Sequence, residues 1–128
     1  MPPSPSSPKS ADRLAAEAFG RHGEDIAAWY LRMKLYRIRA RRVKTPVGEI
    51  DLVAERLGTT VFVEVKSRAR ERDAPEALDA VNRQRIVRAA EYYIARHPHL
   101  AERPLRFDVV FLAPFAWPRH IANAFDAG

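Results

Sequence analysis

The chain contains no cysteine, which excludes a disulfide framework, a thiolate zinc site and thiol catalysis together. That absence fits a reducing compartment. Long hydrophobic runs are also missing. The longest, Val109 to Trp117, is interrupted by Pro114, too short to span a bilayer as a helix. The first residues lack the apolar centre of an export signal, so a cytoplasmic protein is expected. There is no internal repeat, no phosphate-cradling glycine loop and no helix-turn-helix signature. Negative charge is in deficit: 16 acids face 22 bases, for a net charge of +6. Eighteen of those bases are arginine, whose planar fork suits phosphate, so the balance favours a polyanionic partner.

What is present is enough for one core. A chain of 128 residues, 47% hydrophobic and 30% charged, reads as a single globular domain. Met1–Ser10 holds four prolines and four serines and reads as a disordered tail. The domain is expected over 11–112, with an irregular C-terminal tail over 113–128. Leu14, Ala18, Ile26, Trp29 and Met33 recur at helical spacing, widened by Phe19 and Tyr30, and predict a helix over 11–33. Gly20 and Gly23 weaken its middle and suggest a kink or a close backbone approach. Tyr36 to Arg41 alternates strictly and predicts a half-buried strand with Arg37, Arg39 and Arg41 on one face. Two further strands, Glu49–Glu55 and Thr60–Lys66, flank a Gly58 turn. A second helix is expected over 75–96, with Asp73 and Glu76 at capping-box spacing, and a last strand over Leu105–Leu112. The order α-β-β-β-α-β describes an α/β domain with a mixed sheet.

The hairpin concentrates charge. If Glu55 pairs with Thr60, or Arg56 with Thr59, Asp51 lies opposite Glu64 and Glu49 opposite Lys66. All four side chains then share one face; a three-residue loop would scatter them. Two carboxylates about 5 Å apart repel by roughly 3 kcal/mol at an effective dielectric near 20, so a proton, a cationic side chain or a divalent metal should compensate. A surface ion-pair cluster is one reading. The other is a site, because Glu64 and Lys66 interrupt the apolar run Val61, Phe62, Val63 and Val65. The arginine strand is likewise either a solvated face or a phosphate-tracking edge, with Arg68 and Arg70 in the following loop as further nucleic-acid contacts.

Gly48-Glu49-Ile50-Asp51-Leu52-Val53, followed by Val61-Phe62-Val63-Glu64-Val65-Lys66-Ser67-Arg68, resembles the YraN-type bacterial family. Gly20, Gly23-Glu24, Trp29-Tyr30-Leu31 and Arg106-Phe107-Asp108-Val109-Val110 fit it as well, so the resemblance covers residues 17 to 112. That family is placed with the Holliday-junction-resolvase-like branch of the PD-(D/E)xK nucleases. The resemblance implies a restriction-endonuclease-like mixed central sheet flanked by helices. It implies Mg²⁺-dependent phosphodiester hydrolysis on structured or branched DNA, in a homodimer. On this resemblance Asp51 is the motif aspartate, Glu64 the acidic residue, Lys66 the motif lysine and Glu24 the acid of the first helix. Asp51, Glu64 and the Val65 carbonyl would hold the metal, and Lys66 would steady charge on phosphorus. Where relatives often carry a lysine early in the second long helix, this chain has Asn82-Arg83-Gln84-Arg85, and Gln84 is assigned the supplementary polar position. Two alternatives stand beside catalysis: a non-catalytic nucleic-acid-binding module that keeps the nuclease fold, and an adaptor whose arginines meet a protein.

Other candidates are weaker. Among His22, His97, His99 and His120, only His97-Pro98-His99 has ligand-like spacing, and it follows a helix end. Asp108 is expected to pair with Arg106. Trp29, Tyr30, Tyr92 and Tyr93 could stack on bases, but helical aromatics are usually core.

Overall fold

Leu57 and Gly58 both turn the chain with positive φ, 51° and 81°, the two-residue geometry whose twist matches a β-hairpin. Their flanking residues, Arg56 and Thr59, are the first rung of an antiparallel pair. The computed structural model describes residues 22–68 and 81–127. The expected proline–serine tail, the first half of the expected first helix, the Asp73–Glu76 capping pair and Arg70 lie outside them.

Within the described residues, helix α1 occupies 22–33. It is followed by β1 (Arg37–Thr45), β2 (Gly48–Arg56) and β3 (Thr59–Ser67), then helix α2 (Arg83–Ala95), β4 (Leu105–Leu112) and β5 (Arg119–Phe125). The five strands form one sheet in sequential order. β3 pairs with β4 in parallel and every other neighbour is antiparallel. This is the α/β mixed sheet with flanking helices, in the order α-β-β-β-α-β, that the sequence indicates. A further strand follows: Arg119–Phe125 is β5 rather than irregular tail. Its alternation breaks at Asn123, whose φ is 52°, which hides the strand from a period-two reading.

The helices lie on opposite faces of the sheet. α2 turns Ile86, Val87, Ala89, Ala90 and Tyr93 inward, and the Asn82 side chain caps its first turn by accepting from the Arg85 N–H. These residues pack with Ile50, Val53, Phe62, Phe107 and Phe125. On the other face, Ala27, Ala28 and Leu31 of α1 meet Leu52, Ala54, Val61, Val63 and Val110. Phe62 is fully buried, worth about 2–3 kcal/mol against exposure.

The inward face of α1 differs from the one its sequence suggests. Ala27 and Ala28 let the helix sit close to the sheet, while Trp29 and Met33 stay half exposed. Among the described residues no helix is long and apolar enough to cross a membrane.

Candidate metal and nucleic-acid site

Asp51 sits where β2 changes faces. Ile50 packs in the α2 layer and Leu52 in the α1 layer, although residues two apart on a regular strand share a side. The β2–β3 rungs run from Arg56–Thr59 to Leu52–Val63, the register in which Asp51 and Glu64 come next. There the Asp51 side chain replaces a ladder bond: its Oδ2 accepts the backbone N–H of Val65 at 2.8 Å. Burial is the main reason its carboxyl is pushed up to about 7, and the charge of Glu64 adds to it, against the lowering effect of the Val65 N–H. Glu24 contributes in the same direction.

Three carboxylates converge. Glu24, Glu49 and Asp51 each offer an oxygen, all within 4.8 Å of one another. Glu24 reaches the group from α1 because Gly23 lets that helix meet the end of β3. A Cβ at Gly23 would stand 3.1 Å from Ser67 Oγ and 3.3 Å from a Leu112 methyl. Glu49 arrives from the start of β2, next to Gly48. Arg85 of α2 lies over that glycine: an added Cβ would meet Arg85 Cγ at 2.8 Å, and φ is 153°.

Cations border the cluster. Lys66 Nζ is 3.3 Å from Glu64 Oε1, so Lys66 is tied to Glu64, with Glu49 beside Glu24 and Asp51 instead. Arg42, at a positive φ of 51°, pairs with Glu24. Sequence reasoning passed over both Arg42 and Arg85. The first is visible only through its own positive φ and its pairing with α1, the second only through the packing of α2 on β2.

The other assigned residues are dispersed. The β1–β2 register shifts between Ile38 and Ala40, and Ile38 packs in the α1 layer while Ala40 packs in the α2 layer. Arg39 therefore pairs with Glu55, Nε to Oε2 at 2.7 Å, beside Tyr93 and His97. Arg41 instead pairs with Asp25 on α1. The single arginine face expected from alternation is split by this bulge. Arg37 is exposed. Arg68 donates to the Ser67 carbonyl at 2.9 Å. Gln84 is exposed and lines a cleft between α2 and the end of β5, with Arg88, Asn123 and Asp126.

Asp108 is a structural ion pair. Arg106 grips both its oxygens at 2.8 Å, His120 Nε2 lies at 2.7 Å, and the Asn123 N–H donates at 2.9 Å. Burial opposes its ionisation, but the bonds from His120, Arg106 and Asn123 together hold its carboxyl below the usual range.

The donor chemistry of the three-carboxylate group suits a hard divalent cation. Mg²⁺ takes oxygen ligands, one or two carboxylates with retained waters. Burial, with the charges of Glu64 and Glu24 added to it, disfavours the ionised Asp51 carboxyl, and a cation placed among these oxygens would favour it. Glu64 lies beside this group rather than within it.

Comparison with known proteins agrees with the family resemblance. A model described as "Uncharacterised protein family UPF0102" matches residues 23–112. The chain is 48% identical over 123 residues to a UPF0102 protein of Rhodopseudomonas palustris (strain BisA53), covering 96% of this chain and 95% of that protein. A UPF0102 protein of Bradyrhizobium diazoefficiens is 49% identical over 118 residues, 92% of this chain and 89% of its own length. One from Parvibaculum lavamentivorans is 48% identical over 114 residues, with 89% and 86% covered.

Proposed function

The chain belongs to the UPF0102 family, and from that premise we propose that it binds nucleic acid and hydrolyses phosphodiesters in structured or branched DNA with Mg²⁺. The observation that carries this reading is the convergence of Glu24, Glu49 and Asp51 oxygens within 4.8 Å, beside the Glu64–Lys66 pair, on a chain of net charge +6.

Asp51 and Glu24 would hold the metal, with Glu49 or Glu64 and the Val65 carbonyl completing the set. When bound, the ion would polarise the phosphoryl group and offset charge building on its oxygens. The chain's own residues do the rest. The Val65 N–H fixes the Asp51 carboxylate, so the ligand needs little reorganisation. Glu64 holds the Lys66 ammonium at the mouth of the cluster, where it can face a phosphate oxygen. Its role is electrostatic, a fixed donor aimed at charge building on the phosphoryl oxygens. A homodimer would present two such clusters to the arms of a branched substrate.

The test is cleavage of a four-way junction and of linear DNA by purified protein with Mg²⁺. Asp51→Ala and Lys66→Ala should each lower the rate by about 100-fold or more while circular dichroism stays native. Equal cleavage by both variants would refute the assignment. A wild type that binds with a steep salt dependence but never cleaves would identify a non-catalytic nucleic-acid-binding module instead.

A further inference from the structure

Trp29 and Trp117 stack with planes 5° apart and centroids 6.4 Å apart, yet they remain 50% and 70% exposed. A chain that buries Phe62 and Phe107 completely or nearly so leaves both of its tryptophans in water. Met33, one turn along α1 from Trp29, is half exposed too, and Phe115, two residues before Trp117, is wholly exposed. An exposed, mutually stacked aromatic pair of this kind marks a contact site.

Among the described residues, the charges beside it that lack an ion-pair partner are cationic. Arg32 follows Trp29 at the same-face spacing of three residues, and Arg119 is two residues beyond Trp117. Both are exposed, and among the described residues neither has a carboxylate partner. Asp25, one turn before Trp29, is already paired with Arg41. Flat aromatic faces bordered by arginines match the demands of unpaired bases on a charged backbone: stacking for the ring, cations for the phosphates. Trp29 is five residues from Glu24, about 7.5 Å along the helix axis, and its side chain leaves the outer face of α1 while Ala27, Ala28 and Leu31 face the sheet, so the pair lies outside the carboxylate cluster rather than in line with it.

We infer that Trp29 and Trp117 form a stacking platform for an unpaired nucleobase, so that the protein engages a single-stranded segment on the outer face of α1. This rests on the reading of nucleic acid as the partner, but not on cleavage.

The two tryptophans make their own reporter. Wild type in EDTA is titrated with a labelled oligothymidylate of about 12 nucleotides, within the span of small single-strand-binding folds, and with the matching duplex. Label anisotropy and tryptophan emission are read together. The expected result is quenching that tracks the anisotropy rise, with the single strand bound more tightly. Trp29→Ala and Trp117→Ala should each weaken it by about 5- to 100-fold. Trp29→Phe and Trp117→Phe, each leaving one reporter, should retain most of the affinity. Anisotropy that rises with no change in emission overturns the platform and leaves the nucleic-acid reading standing. No anisotropy change with either probe overturns both. Emission that shifts with protein concentration alone, together with a dimer that Trp117→Ala dissolves, assigns the face to self-association and also overturns the platform.

Discussion

The carboxylate of Asp51 accepts the backbone N–H of Val65 at 2.8 Å, just past the last β2–β3 rung, Leu52 with Val63. One side chain therefore closes the sheet and, being buried among acids, is pushed up to about 7. These two roles separate by mutation. Asp51→Asn keeps an acceptor for Val65 and removes the charge, so it should stabilise the metal-free protein by about 1–3 kcal/mol at pH 8. Asp51→Ala leaves the Val65 N–H without its acceptor and forfeits about 1–3 kcal/mol of that gain. The sign with pH follows from a raised folded pKa. The proton is held more tightly in the folded state, so its stabilising effect is complete below about pH 4 and is lost as pH rises through about 7. Urea melts across this range should show the advantage of Asp51→Asn vanishing in acid.

The same proton competes with a cation. Mg²⁺ affinity measured by calorimetry should rise with pH through about 7 and level off above it, with proton release on binding. Glu24→Gln and Glu49→Gln should each weaken binding by about 10-fold or more. Affinity that is flat from pH 6 to 8 would remove Asp51 from the ligand set.

Asp108 should behave in the opposite way. Its carboxyl lies below the usual range, so its contribution is present above about pH 4 and is lost as pH falls through the depressed folded value. Asp108→Ala would leave the Arg106 guanidinium and the His120 ring, whose side chain is 2% exposed, without their acceptor. We expect a loss of about 3–5 kcal/mol at pH 7, a gap that narrows in strong acid.

Gly48 should resist a methyl group for two reasons that can be told apart. Its φ of 153° disfavours a side chain, and a Cβ would press on Arg85 Cγ at 2.8 Å. Gly48→Ala should cost about 1–3 kcal/mol. Adding Arg85→Ala should return the steric share only, so a double-mutant cycle should give a favourable coupling of at least about 0.5 kcal/mol. Strict additivity would mean that Arg85 yields freely.

The hairpin was legible because its turn and its alternation are local. Leu57–Gly58 fixes the register, and the register puts Asp51, Glu64 and Lys66 in one neighbourhood. The Arg106–Asp108 pair was legible for the same reason, two residues apart on one strand. Alternation failed wherever a bulge intervened. It split Arg39 from Arg41 at the β1 shift and concealed β5 behind Asn123. Helical periodicity failed on α1, where Trp29 follows the apolar stripe but two alanines set the packing distance.

The sequence by itself determined the elements up to β4, the register of the central hairpin and the excess of arginine, because each follows from neighbours along the chain. Only the tertiary structure decided which acids meet. Glu24 joins Asp51 through the backbone approach at Gly23, and Trp29 finds Trp117 rather than the core. Such partners are chosen by how closely a helix can rest on a sheet, and that distance is set by side chains far apart in sequence.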